Sequence, residues 1–217
     1  MHKFFRISAL AGLALGATAL TAQAQAAKTF GVVAGVDFAT INGNDVSDGA
    51  GTRTGFQGGL FVGIPVGGGN WMIEPEVLYS MQGATYDNTA FTGTYAVDYI
   101  KIPILVKWSA NPAGKGVYIM LGPTIGFNIS CNDSGTDNTD NSSYDGTCEV
   151  EDNFKALTTF SGDIGFGYTT GRFGIEGRYS FDWGNAFEIT GTGITGVDGT
   201  SVDAKNSVIS VLLRFTK

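Results

Sequence analysis

Phe173-Gly174-Ile175-Glu176-Gly177-Arg178-Tyr179-Ser180-Phe181-Asp182-Trp183 places rings, an isoleucine and a glycine at its odd positions, while Glu176, Arg178 and Asp182 share the even ones. Successive side chains of a β-strand point to opposite faces, so this stretch reads as one strand with an apolar face and an ionic face. The same alternation recurs over 30–38, 54–64, 71–81, 100–108, 117–127, 160–168 and 209–215. Eight strands of about nine residues or longer are therefore predicted, enough to cross a bilayer at a tilt. In these runs the charges fall on the parity opposite the apolar residues: Asp37, Arg53, Glu74, Glu76, Lys101, Lys107, Asp163, Glu176, Arg178, Asp182 and Arg214.

The connections order the strands. Breaks fall near 42–52, 65–70, 83–92, 109–115, 130–153, 169–172 and 185–204, alternating long and short. External loops near 42–52, 83–92, 130–153 and 185–204 would leave one end of a barrel, with short periplasmic turns at the other. In that topology Phe30, Trp71, Trp108, Tyr168, Phe173 and Phe215 gather near the short-turn end. Phe38, Tyr79, Phe127, Phe160, Phe181 and Trp183 gather near the long-loop end. Two aromatic girdles flanking an aliphatic band suit rings at two membrane–water interfaces. The fold expected is an all-β, eight-stranded antiparallel up-and-down transmembrane barrel. Pro75, Pro103 and Pro123 fall inside predicted strands, and local bulges are expected at them because proline cannot donate to a ladder.

Composition agrees with an exported membrane chain. Of 217 residues 33 are Gly, and charged residues make up only 15%, against about 25% in ordinary soluble domains. Lys3 and Arg6 precede an uncharged apolar run from Ile7 to Leu20, followed by Ala22-Gln23-Ala24 and Ala24-Gln25-Ala26. This reads as a cleaved signal peptide over 1–26, with the barrel over 27–217. Setting aside Lys3 and Arg6 leaves 11 basic against 20 acidic residues, a net charge of −9. Such a balance argues against nucleic acid as a partner. The single His is His2, inside the predicted signal. Without it, His-based nucleophilic catalysis and His-ligated zinc are excluded. Cys131 and Cys148 are expected to form one disulfide closing a surface loop.

Several segments resemble the outer-membrane β-barrel domain family often labelled "porin family protein". Gly31-Val32-Val33-Ala34-Gly35-Val36-Asp37-Phe38 resembles its opening strand, and Glu74-Pro75-Glu76-Val77-Leu78-Tyr79-Ser80 with Gln82-Gly83 its third. Tyr99-Ile100-Lys101-Ile102-Pro103-Ile104-Leu105-Val106-Lys107 resembles its fourth. Leu121-Gly122-Pro123 and Glu176-Gly177-Arg178-Tyr179-Ser180 resemble its fifth and seventh. The resemblance implies a small barrel in the outer membrane of a Gram-negative bacterium and no defined substrate.

An eight-stranded barrel is just wide enough for side chains to fill. The interior charges Arg53, Glu74, Glu76, Lys101, Lys107, Asp163, Glu176, Arg178, Asp182 and Arg214 are therefore expected to pair as a salt-bridged plug, with a selective channel lining as the alternative. Inward glycines, among them Gly31, Gly35, Gly59, Gly122, Gly165 and Gly167, would leave room for them. Glu74 and Glu76 share a face as acid–base carboxylates can, but beside several cations they read as structural. The acidic stretch with Asp133, Asp137, Asp140, Asp145, Glu149, Glu151 and Asp152 lacks the calcium-loop spacing and reads as a solvated loop.

No catalytic residue, metal or cofactor is expected. The function expected is a non-enzymatic, monomeric outer-membrane protein with a structural or surface-interaction role through its external loops. Its partners would be outer-membrane lipid, the barrel-assembly machinery and an extracellular ligand or host surface. A small passive pore and a soluble periplasmic apolar-ligand-binding barrel are the alternatives.

Overall fold

Alternating residues with opposite solvent demands give long strands that close on themselves. The computed structural model describes residues 28–44, 46, 50–67, 69–148, 154–189 and 201–217; the predicted signal peptide lies outside them. Eight strands form the wall: β1 (Thr29–Asn42), β2 (Ala50–Val66), β3 (Trp71–Asp87), β4 (Phe91–Asn111), β5 (Lys115–Asp137), β6 (Thr159–Thr170), β7 (Phe173–Asp182) and β8 (Lys205–Thr216). Each pairs antiparallel with its neighbour in the chain, and β1 pairs with β8 from Gly31↔Thr216 to Asn42↔Lys205. Closure leaves no ladder edge at membrane depth, where an unpaired backbone group would meet hydrocarbon.

The two faces separate residue by residue. Leu212 is fully buried inside while Leu213, its neighbour, is 66% exposed outside. Chemically alike side chains so differently placed mark a wall with apolar residues on both sides, only one of which faces lipid. Inside, small residues oppose large ones across the ladders: Gly31 faces Phe61, Gly35 faces Leu212, Gly59 faces Leu78, Gly165 faces Met120 and Gly167 faces Tyr118. A Cβ on any of these five glycines would collide with that large side chain or with the backbone beside it. The glycines thus let a narrow barrel hold bulky inward residues.

Of the predicted girdle residues all are exposed outward except Tyr79, which is half-buried. At the short-turn end Trp71 pairs with Trp108, and Phe173 with Phe215, their ring centroids 5.2 Å apart. At the other end Tyr79 donates its hydroxyl to Asp98 Oδ2 at 2.7 Å. Asp98 stands opposite Met81 on the outward parity of β4, so it marks the upper limit of lipid contact. From there to Trp108, ten steps of about 3.3 Å at a tilt of about 40° rise about 25 Å, the height of an outer-membrane apolar band.

Three expectations change. The prolines cause no bulges. Ladder partners are missing beside each of them, between Phe61↔Glu76 and Ile64↔Ile73, between Pro75↔Ile104 and Leu78↔Lys101, and between Pro103↔Thr124 and Val106↔Leu121, yet the register is the same on either side. A ring nitrogen removes one donor without adding a residue, so pairing lapses and resumes. The register shifts lie elsewhere, between Thr52 and Gln57 on β2, and between Asp98 and Tyr99 and between Ser109 and Asn111 on β4.

Second, 83–92 is not a loop. β3 and β4 remain paired to Asp87↔Thr92, leaving only Asn88 to Ala90 as a tip. Third, much of 130–153 is a hairpin. β5 runs to Asp137 and Ser143–Thr147 folds back on it, with the predicted Cys131–Cys148 disulfide at its base. Within the predicted loop 42–52, residues 50–52 already belong to β2; residues 45, 47–49, 149–153 and 190–200 are outside the described set.

Gly167→Leu is expected to destabilise the barrel by about 1–3 kcal/mol through overpacking against Tyr118. Gly177→Ala, whose added carbon meets the Phe166 ring at an ordinary 3.4 Å, is expected to be tolerated. Urea unfolding in detergent micelles measures both.

Candidate functional site

The ionic face of the strands converges inside the wall. Arg178 on β7 donates from Nη1 to Glu76 Oε2 at 2.8 Å and from Nη2 to Glu176 Oε1 at 2.7 Å. Arg214 on β8 donates to Glu74 Oε1 at 2.6 Å and to Glu176 Oε2 at 2.7 Å, and reaches Glu76 Oε1 at 3.2 Å. Lys101 meets Ser180 Oγ at 3.2 Å and lies 3.9 Å from Asp163 Oδ1, while Thr124 donates to Asp163 Oδ2 at 2.7 Å. Lys107 Nζ sits 3.7 Å from Glu74 Oε2 and 3.8 Å above the Tyr118 ring. All eight charged residues are buried, four cations against four carboxylates. Ions removed from water demand this kind of multiple pairing, since each unpaired one would cost several kcal/mol.

The connectivity matters as much as the count. In the ring, β3 and β7 stand four strands apart, directly opposite. Arg178 bound to Glu76 therefore spans the lumen, and Lys101 on β4 reaching Ser180 on β7 spans it again. Tyr118 on β5 adds a hydroxyl donated to Glu176 Oε2 at 2.9 Å, and the Arg214 guanidinium lies 4.0 Å above the Phe61 ring. Tyr118 was visible in the sequence as an aromatic on the ionic parity of 117–127.

Two predicted members stand apart. Arg53 does not reach the central network. It sits where the β2–β3 register shifts, donates to the Gln82 carbonyl and lies 3.7 Å from Asp98 Oδ1. Asp182, half-buried near the same level, accepts from Asn206 N at 3.2 Å and Nδ2 at 3.0 Å instead of joining the arginines.

Above the ionic layer Ile41, Ala84, Val97, Tyr99, Ala186, Phe187 and Ala204 pack as an apolar cluster. Ala186, Phe187 and Ala204 belong to the predicted external loop 185–204, so part of that segment folds into the barrel top rather than into solvent. A small sheet pairs Phe154–Ala156, Phe187–Ile189 and Ser201–Val202 beside it.

Beyond the membrane level, β3, β4, β5 and Ser143–Thr147 continue as a protruding sheet. Asp133, predicted to be solvated, is buried in it. Tyr86 donates to its Oδ1 at 2.7 Å, and the Tyr86 and Tyr144 hydroxyls touch. Burial, with Tyr144 and Asp133 beside it, pushes the Tyr86 hydroxyl well above the usual phenol range, so it remains a donor. Asp133 could not be distinguished by sequence from Asp137, Asp140 and Asp145, because no apolar alternation frames that stretch.

Residues 10–188 match the family model described as outer membrane protein beta-barrel domain. The chain belongs to that family. The barrel is similar to the crystal structure of Neisserial surface protein A, at 13% identity and a TM-score of 0.52, covering 88% of this chain and 99% of that one. It is also similar to Ail of Yersinia pestis, at 11% identity, a TM-score of 0.47 and coverages of 88% and 100%, in a complex with the heparin analogue sucrose octasulfate. OprG from Pseudomonas aeruginosa follows at 12% identity, a TM-score of 0.44 and coverages of 88% and 96%. No curated protein sequence matches the chain. The protein is thus an outer-membrane barrel, and the soluble periplasmic alternative falls, since its exposed face is the apolar one.

Arg178→Met is expected to lower stability by about 3–5 kcal/mol, because it strands Glu76 and Glu176 in the interior. Loss of the heat-modifiable band on gels at lower urea concentration would report it. At the outer end, the Asn44 backbone N–H, helped by its side-chain amide, holds the Asp203 carboxyl below its usual range. A depressed carboxylate stabilises the fold above its unfolded pKa and loses that effect as pH falls through the folded value. The contact between Asn44 and Asp203 is therefore expected to open only below about pH 3.8, read from the Asn44 amide resonance.

Proposed function

We propose that this outer-membrane barrel is a non-enzymatic, monomeric surface protein with a filled lumen, whose work is done by the sheet standing above the membrane. The observation that carries the reading is the Arg178–Glu76 bridge at 2.8 Å between opposite strands. Arg214 and Lys101 cross beside it, and the apolar cluster around Phe187 lies above. A lumen occupied across its width leaves a solute to displace paired buried ions, which is costly. Glu74 and Glu76 are held by Arg214 and Arg178, which speaks against their acting as an acid–base pair. Insertion would proceed through lipid and the barrel-assembly machinery.

The protruding sheet supports the surface role. Ser143–Thr147 pairs with β5 along one side, and among the described residues its other edge has no ladder partner. Such an edge presents backbone donors and acceptors. Asp137, Asp140 and Asp145 surround it, so the complementary partner is a cationic extracellular ligand or host surface. A passive pore is the second reading, supported by the polar character of the interior.

Planar-bilayer recording separates the two. The wild-type protein is expected to give no steady single-channel current, and a reproducible conductance would reject the filled lumen. Replacing 138–142 by a short Gly-Ser turn is expected to reduce whole-cell adhesion to a cationic surface while heat-modifiable migration persists. Undiminished adhesion would reject the surface role.

A further inference from the structure

The short-turn end holds a cavity of about 210 Å³, far above the roughly 10–15 Å³ that admits a single water. Lys107 and Arg214 line its inner part, and Lys115, Arg172 and Lys217 its mouth; the one carboxylate side chain in its lining is Glu74. The three at the mouth are solvent-exposed, whereas Lys107 is only 4% exposed. The other buried cations all donate hydrogen bonds. Lys107 makes none among the described residues. Its ammonium has an ion-pair distance of 3.7 Å to Glu74 Oε2 and a ring face at 3.8 Å, while Arg214 binds the other oxygen of Glu74, Oε1, at 2.6 Å. An ammonium whose nearest carboxylate oxygen stands beyond hydrogen-bond distance, in a site this roomy, has donors to offer an acceptor from outside.

Charge around the cavity supplies the sign. Lys28, Lys115 and Arg172 flank the short-turn end, and no acidic side chain lies in its turns at 67–70, 112–114 and 171–172. The interior carboxylates Glu74, Glu76, Glu176 and Asp163 are balanced by as many interior cations. Among the described residues Asp87, Asp98, Asp133, Asp137, Asp140, Asp145 and Asp203 stand toward the long-loop end, across the membrane band from this mouth, and the Debye length is about 8 Å at physiological salt. The excess of acid in the whole chain therefore does not cancel the positive potential at this mouth.

We propose that this cavity is a periplasm-facing binding site for a phosphate-class oxyanion, with Lys107 as the buried donor and Lys115, Arg172 and Lys217 as the capturing rim. A phosphate group brings at least two strong acceptor oxygens and at least one negative charge, which suits an ammonium with donors to spare beside further cations. The same chemistry is offered by a free phosphate in the periplasm and by the headgroup of an anionic phospholipid in the inner leaflet.

The test uses the full barrel folded in maltoside micelles free of phospholipid. Calorimetric titration with inorganic phosphate forms one arm, and native mass spectrometry with short-chain phosphatidylglycerol the other. Saturable binding of one phosphate group per chain is expected, weakened at least tenfold in Lys107→Met and several-fold in the exposed triple variant Lys115→Gln, Arg172→Gln, Lys217→Gln. Binding of both probes identifies a free anion site that also accepts a headgroup; binding of phosphatidylglycerol alone identifies a lipid site. Absence of saturable binding in both arms overturns the proposal, as does affinity unchanged in the triple variant. The triple variant alters only solvent-facing side chains and remains informative should Lys107→Met fail to fold.

Discussion

The barrel depends on pairing four buried cations with four carboxylates inside a ring whose outside is grease. Hydrocarbon outside forces apolar side chains outward, and strand geometry then sends every alternate residue inward. Those inward positions could have been apolar, but ionic residues on them must be satisfied within the barrel, by opposite charge in the central network and by the Ser80 hydroxyl at Asp37. Glu76, Glu176, Arg178 and Arg214 do so with charge-assisted bonds of 2.6 to 3.2 Å when Glu74 is included. Because these bonds join β3, β7 and β8, they tie together strands far apart along the wall. The same contacts that satisfy charge fill the cross-section that eight strands leave.

Size complementarity makes that arrangement possible. Gly31, Gly35, Gly59, Gly165 and Gly167 each remove a side chain opposite a Phe, Leu, Met or Tyr, and the space so released is filled by the larger residue leaning across the ladder. Tyr118 exemplifies the coupling of packing to electrostatics. It lies over Gly167, carries Lys107 on its ring face and donates its hydroxyl to Glu176. A change at a glycine is thus felt by an ion pair two strands away.

Period-two alternation made the wall legible from sequence. It assigned the inward charges and outward rings, because each face answers to a different solvent. It could not reveal that Arg178 meets Glu76, since strand opposition is a property of the closed ring and not of any one run. Nor could it extend β3, β4 and β5 beyond the lipid. There both faces meet water, so hydrophobic alternation ceases while backbone pairing continues, and 83–92 and 130–153 looked like loops. Arg53 stands apart from the central network for a related reason: it lies where the β2–β3 register slips between Thr52 and Gln57, and no local pattern in the sequence marks such a slip.

The interrupted pairing beside Pro75, Pro103 and Pro123 steps from β2 through β3 and β4 to β5, so the lapses line up obliquely on one side of the cylinder. The β1–β8 closure, by contrast, is stitched without a gap from Gly31 to Asn42. Under lateral pressure or membrane thinning, the wall would give along the proline diagonal and not where its two ends meet. The joint that completes the cylinder is mechanically its sounder side.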